Sequence, residues 1–395
     1  MPRFSTQRSR GLLYITVFIN VISFGMIFPI LPLFAKTLKA TPFDIGILAA
    51  SFSFAQFLTS PILGRISDRV GRKPIIFLSI LGSAVSFLIA AFAHSLWGIL
   101  VSRILHGVSS AGNFPTAQAF IADTTTKKER TFYMGKISAF FALGFVVGPV
   151  FGGVLGAKGF FLAFFSAAIV SFINLIFISF MLPESLSKKS KQPILTGSFL
   201  NVREIYHGLR GDFGMLFFLL FSWAFYVSNF QVAIPLFTES LFKMGPFENG
   251  IFFSTVGVFA AITQWLILPY TVRRFKELAT IFLGLLCMVF GQIFAPLFPS
   301  VFLFYAFFMI SVLGSGLTRP TVNAVLSKAT KAGQGATLGL GFSFESLGRV
   351  LGPLIAGIFI SRFGLAFPFW VSSGVLAIGL YFFWRIEIAK KGRLL

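Results

Sequence analysis

Charge is scarce in this chain, and negative charge is the scarcest of all. Only 11% of its 395 residues are charged and just 12 are Asp or Glu, whereas 56% are hydrophobic. Soluble domains carry about 25% charged residues. The composition therefore excludes an ordinary soluble domain and predicts a protein that crosses a membrane several times.

Cysteine and catalytic patterns are nearly absent as well. The single cysteine, Cys287, cannot form an intramolecular disulfide. The three histidines are scattered, and neither a Ser-His-Asp arrangement, a GxGxxG phosphate loop nor a Walker-type lysine motif occurs. We therefore expect no enzymatic activity, no ATP-driven pumping, no cofactor and no metal site.

The chain consists largely of apolar runs of about twenty residues, the length that crosses a bilayer as a helix. They predict an all-α membrane protein with twelve transmembrane helices in two pseudo-symmetric six-helix bundles. The polar stretch 183–212 splits them into an N-terminal bundle over 1–182 and a C-terminal bundle over 213–395, joined by a cytoplasmic linker. The predicted spans are 11–35, 45–63, 74–93, 97–121, 131–157, 160–182, 213–236, 247–270, 278–297, 300–326, 336–360 and 365–386.

The basic residues test this arrangement. With the N-terminus in the cytoplasm, 24 of the 33 Lys and Arg residues fall in cytoplasmic segments, 5 in outer loops and 4 inside spans. This bias is the positive-inside pattern, and it accounts for the net charge of +21 without a nucleic acid partner. We expect a multi-pass protein of an inner (plasma) membrane with both termini in the cytoplasm.

The two halves of the chain resemble each other. "FPTAQAFIAD" (114–123) aligns with "RPTVNAVLSK" (319–328) at an offset of 205, and "GFVVGPVFGG" (144–153) aligns with "GRVLGPLIAG" (348–357) at 204. A weaker match pairs "SPILGRISDR" (60–69) with "LPYTVRRFKE" (268–277) at 208. These offsets predict a parallel repeat of two bundles with a cavity between them near the membrane midplane.

The densest charge lies in "GRISDRVGRKP" (64–74), the predicted cytoplasmic loop after the second span. One interpretation is a simple topology anchor. The other is a gating latch, in which Asp68 contacts the positive N-terminus of the eleventh span. Arg65, Arg69 and Arg72 would then pair with acids, foremost Asp123. The residues of this candidate motif are Gly64, Asp68, Arg69, Gly71, Arg72, Lys73 and Asp123.

This loop resembles the major facilitator superfamily signature G-x-x-x-D-R-x-G-R-K/R. "LVSRILHGVSSAG" (100–112) resembles the fourth-span pattern of that superfamily, and "LPES" (182–185) is usual after its sixth span. The fifth span resembles the antiporter signature G-x-x-x-G-P-x-x-G-G, matched by Gly144, Gly148, Pro149, Gly152 and Gly153. "IADTTTKKER" (121–130) is similar to tetracycline efflux proteins. The resemblance implies a monomeric drug:proton antiporter that exports a small organic compound.

The glycines of the fifth span have a physical meaning of their own. Gly144, Gly148 and Gly152 recur every four residues and form one small face, which lets helices approach closely in lipid. Pro149 removes a backbone hydrogen bond and favours a bend. The face is either a gating interface or ordinary bundle packing.

A proton-coupled transporter needs an acid within the membrane. Eleven of the twelve acids fall in loops or at span ends, and only Glu345 lies well inside a predicted span. Arg349 follows four residues later on the same helical face. The pair is either a coupling site, in which Glu345 exchanges a proton, or a closed structural ion pair.

Polar residues inside spans are candidates for contact with substrate, although each could instead form an interhelical hydrogen bond. They are Asn20, Gln56, Arg103, Asn113, Gln118, Asn229, Gln231, Gln264, Arg319 and Asn323. The 56 phenylalanines favour an amphipathic or aromatic compound. Tetracycline exporters carry an acid where this chain has Asn20, which disfavours a tetracycline–metal chelate. A metabolite or lipid facilitator or symporter, and a non-transporting receptor or scaffold, remain alternatives.

Overall fold

The computed structural model describes residues 6–126, 129–186, 213–329 and 334–392, and this part of the chain contains helices, turns and no strand. Its fourteen α-helices are α1 (Thr6–Ile27), α2 (Leu31–Thr37), α3 (Pro42–Val70), α4 (Arg72–Ala91), α5 (Leu96–Ser110), α6 (Asn113–Thr124), α7 (Arg130–Lys158), α8 (Phe160–Met181), α9 (Gly214–Phe242), α10 (Pro246–Ile262), α11 (Leu268–Phe294), α12 (Val301–Ala329), α13 (Gln334–Phe363) and α14 (Phe367–Gly392). A π-helical turn, Thr263–Ile267, joins α10 to α11.

Among the described residues, ten segments are long and apolar enough to cross a membrane, which confirms the predicted all-α membrane fold. One of them, Pro246–Leu297, has 52 residues. It contains a break at Lys276, whose backbone (φ 65°, ψ 172°) is not helical. The predicted fourth span is divided into α5 and α6, which are 15 and 12 residues long. The count of twelve spans stays a prediction.

The helices form two compact units. The first comprises Met1–Ala40, Ser51–Phe199 and Gly245–Thr255, and the second comprises Thr41–Ala50, Leu200–Met244 and Val256–Leu395. The predicted bundle boundaries stay predictions, and most of the predicted linker, 187–212, lies outside the described residues.

Close backbone contact between α1 and α7 organises the first unit. A Cβ atom added to Gly148 would lie 2.7 Å from the Ile22 carbonyl oxygen, and one added to Gly152 would collide with the backbone of Met26. Buried apolar side chains of α1, α4, α6, α7 and α8 complete the core, among them Leu13, Ile80 and Phe120. The glycine face of α7 is therefore a packing surface against α1.

The second unit repeats this contact with α9 and α13. A Cβ atom at Gly348 would lie 2.5 Å from the Phe221 carbonyl oxygen, and one at Gly352 would collide with Ser228. Gly348 and Gly352 correspond to Gly144 and Gly148 at the offset of 204. Both halves of the repeat thus use the same small-residue positions to bring equivalent helices together.

These contacts predict opposite effects for two glycine-to-alanine changes on α7. Gly152→Ala places a methyl group against the α1 backbone, and overpacking of this kind costs about 1–3 kcal/mol. The Cβ of Gly135→Ala meets nothing within 4 Å. Removing that glycine from an open helical position stabilises by up to about 1 kcal/mol.

Thermal unfolding of the two purified variants in detergent measures the difference. Gly152→Ala should unfold at a lower temperature than wild type, and Gly135→Ala at the same or a higher one. Equal midpoints for the two variants would contradict the packing described for α1 and α7.

Candidate functional site

Most of the predicted loop 64–74 is helical: residues 64–70 form the last turns of α3, and α4 begins at Arg72, which leaves Gly71 as the break. Gly71 separates α3 from α4 with φ 127°, a conformation that side chains other than glycine rarely adopt. A Cβ atom at this position would also collide with the Glu184 carboxylate. Glycine is thus required here twice, for the turn and for the close approach of Glu184.

Arg72 is the centre of the ion pairs in this loop. Its guanidinium donates through Nε to Asp123 at 3.0 Å and through Nη1 to the Ser67 hydroxyl at 2.7 Å. It also pairs with Asp68 at 2.5 Å. Arg72, one of the three arginines expected near Asp123, forms an ion pair with it. Asp123 accepts a second hydrogen bond from Ser185 Oγ at 3.2 Å.

Glu184 has a role in the loop that the sequence did not suggest. Its carboxylate accepts the backbone N–H groups of Arg72 at 2.9 Å and of Lys73 at 3.1 Å, at the start of α4. It also accepts those of Ser185 and Leu186, both at 2.9 Å. An acid at a helix N-terminus satisfies unpaired donors and complements the helix dipole. We call Asp68, Arg72, Asp123 and Glu184 the loop cluster.

The remaining residues of the loop motif lie at its edge. Lys73 Nζ donates to the Ser179 carbonyl oxygen at 2.9 Å, which ties α4 to α8. Gly64 lies in open space within α3, and Arg69 is in the last turn of that helix. The expected contact of Asp68 with the start of the eleventh span stays a prediction.

The second unit contains a corresponding ion pair of reversed sign. Lys276, which breaks α11, stands 205 residues after Gly71, and the next residue, Glu277, corresponds to Arg72. Glu277 accepts a hydrogen bond from Lys328, which corresponds to Asp123 at the same offset. The structural register here is therefore 205, and the sequence alignment at 208 was wrong. Helix geometry sets the register, because the helix breaks at Gly71 and Lys276 coincide only at 205.

Glu345 lies eleven residues into α13, roughly 16 Å along the helix. The residue is only 1% exposed, and its side chain is held by two arginines. Arg349 donates to Oε2 at 2.8 Å, as an ion pair four residues away on the same helix. Arg319 of α12 donates to Oε1 at 2.9 Å and to Oε2 at 3.1 Å, a bidentate pair.

A tryptophan completes this site. The Arg319 guanidinium carbon lies 4.6 Å from the ring centre of Trp223, a cation–π contact. The Trp223 indole donates to Ser315 Oγ at 2.8 Å, which fixes the ring. We call Trp223, Arg319, Glu345 and Arg349 the Glu345 cluster. Two cations face one acid, so the cluster carries a net charge of +1 when Glu345 is ionised.

The sequence predicted the pair of Glu345 with Arg349 and named Arg319 as a candidate, but it did not connect Arg319 with Glu345. The two are 26 residues apart, so helical periodicity could not relate them. Trp223 was missed altogether, because an aromatic residue in an apolar span carries no distinguishing local signal.

In the first unit, the candidate polar residues make few side-chain contacts. Gln56 donates to Ser110 Oγ at 3.3 Å, and the Asn113 amide approaches Asn20 Oδ1 at 3.5 Å. Arg103 is 3% exposed and lies 4.4 Å from the ring centre of Phe52. Its Nη1 atom lies 3.5 Å from Nδ1 of His106, and its Nε has no hydrogen-bond partner among the described residues.

The other candidate polar residues do not form a common site. Gln118, Gln231 and Asn323 are half-buried and Gln264 is exposed, and none makes a side-chain hydrogen bond within the described ranges. Asn229 is buried with an unpartnered amide nitrogen. Across the described part of the chain, no three His, Cys, Asp or Glu residues group as metal ligands would.

The last glycine of the fifth-span motif contacts a different helix from the others. A Cβ atom at Gly153 would lie 2.7 Å from the Pro246 carbonyl oxygen and 3.0 Å from Gly250 Cα, at the start of α10. Ser254 Oγ donates to the Val146 carbonyl oxygen at 2.6 Å. All these residues belong to the first unit.

The family model described as "Major Facilitator Superfamily" matches residues 13–349, with a further match over 270–394. The chain belongs to the Major Facilitator Superfamily. This superfamily member is 30% identical to multidrug resistance protein 2 of Bacillus subtilis (strain 168), over 92% of this chain and 91% of that one. It is 27% identical to the class B tetracycline resistance protein of Escherichia coli, over 92% and 90%.

Solved structures support the fold assignment. A bacterial homologue of the human lysosomal transporter Spinster, in an inward-facing and occupied conformation, matches with a TM-score of 0.82. The match covers 98% of each chain at 16% sequence identity. The chain is therefore a multi-pass membrane transporter of the superfamily, which confirms the resemblance of its loop and fifth-span motifs.

The ion pair of Glu277 with Lys328 predicts what happens when the two charges are exchanged. Glu277→Lys and Lys328→Glu each place like charges together, and the double change restores an ion pair with the sign found at Arg72 and Asp123. Because the pair is solvent-accessible, we expect a coupling energy of only about 0.2–1 kcal/mol.

Thermal unfolding of the two single variants and the double variant, at low and high salt, measures this coupling. The double variant should recover the midpoint that each single variant loses, and salt should shrink the difference. Additive losses in the double variant would show that the two side chains do not interact.

Proposed function

We propose that this superfamily member exports a small amphipathic organic compound by alternating access, in exchange for protons, and that Glu345 carries the exchanged proton. The observation that carries the proposal is the Glu345 cluster. An acid buried within a membrane span is costly and is functional by default. Glu345 is the acid that the sequence places deepest in a span, and it is 1% exposed.

The cluster couples proton binding to helix packing. Ionised Glu345 neutralises one of two arginines and links α12 to α13 through the bidentate bond of Arg319. Protonation removes that negative charge and leaves two cations close together without a compensating acid. The resulting repulsion favours separation of Arg319 from Glu345. A proton at this carboxylate can therefore change how α12 packs on α13, which is what alternating access requires.

The substrate class rests on the relatives and on the charge of the site. The relatives are named for multidrug and tetracycline resistance, which favours a drug-like compound. A tetracycline–metal chelate is disfavoured, since Asn20 stands where tetracycline exporters carry an acid. The net charge of +1 at the Glu345 cluster further disfavours an organic cation at this point.

The other predicted sites have supporting roles in this proposal. The loop cluster would hold the cytoplasmic loop in one gating state. The fifth-span glycines would keep α7 against α1 while the transporter moves. Asn20, Gln56, Arg103, Asn113, Gln118, Asn229, Gln231, Gln264 and Asn323 stay candidate substrate contacts.

A facilitator or symporter on the same fold is the second candidate. The observation in its favour is the closed Glu345 cluster itself, because hydrogen bonds from two arginines engage both carboxylate oxygens. In that case Glu345 would be structural, and transport would not follow the pH gradient.

We further propose that the protein works as a monomer in an inner membrane, with both termini in the cytoplasm. The loop cluster then faces the cytoplasm, and the short segment between α2 and α3 faces outward. In a Cys287→Ser background, Ala40→Cys should react with a membrane-impermeant maleimide from outside intact cells, and Val70→Cys only after the membrane is opened. The reverse pattern would overturn this orientation.

Transport by Glu345 variants tests the coupling. Wild type should concentrate chloramphenicol, ethidium or another member of a panel of drug-like probes in inverted vesicles when a pH gradient is imposed. For a transported probe, Glu345→Gln should abolish gradient-driven accumulation and leave downhill exchange intact, because the exchangeable proton site is gone.

A triple change provides the matched control. Glu345→Gln, Arg319→Gln and Arg349→Gln together remove the ion pairs without stranding a charge in the membrane. If this variant still accumulates the probe against its gradient at matched protein amounts, Glu345 is structural. If wild type accumulates no probe of the panel, drug export itself is contradicted.

A further inference from the structure

Three cations beside the break in α11 lack the acidic partner that the first unit supplies at the same place. At the offset of 205, Arg273 stands at the position of Asp68, which pairs with Arg72. A base thus replaces that acid in the second unit. Arg273, Arg274 and Lys276 are exposed, and none of them makes a side-chain hydrogen bond or ion pair within the described ranges.

The acid nearest to these cations in the sequence already has a partner. Glu277 follows Lys276 directly and pairs with Lys328 of α12. Glu277 is also the single acid between residues 249 and 344 of the sequence. The positive charge of Arg273, Arg274 and Lys276 is therefore not compensated by another acid of this stretch.

The part of α11 that follows Lys276 packs against α14. Ser373 Oγ donates to the Val289 carbonyl oxygen at 3.3 Å, and the Trp370 indole donates to the Ile293 carbonyl oxygen at 3.2 Å. The residue number rises along α14 as it falls along α11, so the two helices run antiparallel. All four residues belong to the second unit.

This packing places a fourth cation beside the first three. Twelve residues from Val289 toward the break lies Glu277, and twelve residues from Ser373 along α14 lies Arg385. Each count spans about 18 Å of helix, so Arg385 is level with the residue after the break. Arg385 is exposed and makes no side-chain hydrogen bond or ion pair in the described part of the chain. We call the four cations the basic patch: Arg273, Arg274, Lys276 and Arg385.

Exposed aromatic side chains border the basic patch. Tyr270 of α11 is 65% exposed, and Tyr381 and Trp384 of α14 are 51% and 50% exposed. The apolar segment of α14 that could cross a membrane ends at Arg385. Tyrosine and tryptophan are enriched where the hydrocarbon meets water, at the level of the lipid headgroups. The basic patch therefore lies at headgroup level.

A phosphate group is the ligand that suits exposed guanidinium groups at this level. Arginine binds phosphate oxygens through two parallel N–H donors, whereas lysine adds a point charge. Within a membrane, the phosphates at this level belong to phospholipids. Basic residues next to a span attract the anionic ones, because their negative charge is not cancelled within the headgroup.

We propose that the basic patch binds the headgroup of an anionic phospholipid, with the phosphate held between Arg273 and Arg274 of α11 and Arg385 of α14. The loop cluster of the first unit differs, because its central cation, Arg72, pairs with acids of the protein itself. The lipid site is separate from the Glu345 cluster and does not depend on the export function proposed above.

Lipid titration of the delipidated protein in detergent tests the site. At low salt, dioleoylphosphatidylglycerol should raise the unfolding temperature of wild type more than dioleoylphosphatidylcholine, which has the same acyl chains and no net charge. Arg273→Gln combined with Arg274→Gln should weaken the apparent affinity for phosphatidylglycerol roughly 30-fold, and Arg385→Gln roughly fivefold.

Lys158→Gln combined with Arg362→Gln is the matched control. It also removes two exposed cations, but these lie near the ends of α7 and α13, in predicted outer segments. The control should keep the wild-type affinity for phosphatidylglycerol. Native mass spectrometry of the same proteins counts the bound lipid directly, so the comparison does not rest on the thermal transition alone.

Several outcomes would overturn the lipid site. Equal shifts with the two lipids, or unchanged affinity in the patch variants, would show that the basic patch does not select an anionic headgroup. An equal loss in the control would assign the effect to net charge. Stabilisation by sodium phosphate at the same phosphate concentration would indicate a site for the free anion. Accumulation of drug-like probes in inverted vesicles is a separate measurement and bears on the proposed function alone.

Discussion

The cost of a charge inside a membrane is the constraint on which the functional parts of this protein depend. Glu345 is held by Arg319 and Arg349, and Arg319 in turn lies against the ring of Trp223. Each partner offsets part of the desolvation cost of the others. A buried acid between two cations changes the forces around it when it takes up a proton. The desolvation cost that makes a buried charge at Glu345 unfavourable therefore also makes this site suitable for coupling proton binding to helix packing.

Close helix packing holds these charged residues in position. The glycines of α7 lie against the backbone of α1, and those of α13 lie against α9, so equivalent helices are fixed in both units. Within lipid, helices associate through such small-residue contacts rather than through the hydrophobic effect. Arg319 and Glu345 meet because their helices are held at a defined register, and a bidentate ion pair tolerates little displacement.

The repeat preserves the positions of the contacting residues more strictly than their chemical type. The helix break after Gly71 recurs at Lys276, where the following ion pair has reversed sign. The ion pair of Arg319 and Glu345 has an aromatic contact, Phe114 with Phe141, as its counterpart. The same helix positions thus make a charged contact in one unit and an aromatic contact in the other.

The sequence by itself determined the membrane class and the repeat, and it marked Glu345 and the charged loop as candidate sites. These follow from the lengths of apolar runs and from the rarity of acids, which are local properties of the chain. The tertiary structure alone decided that Arg319 pairs with Glu345, that Glu184 caps α4, and that the second-unit loop aligns at 205. Each of these depends on the rotation and register of helices far apart in the chain. Side-chain periodicity describes one helix at a time, and therefore cannot specify which faces of two helices meet.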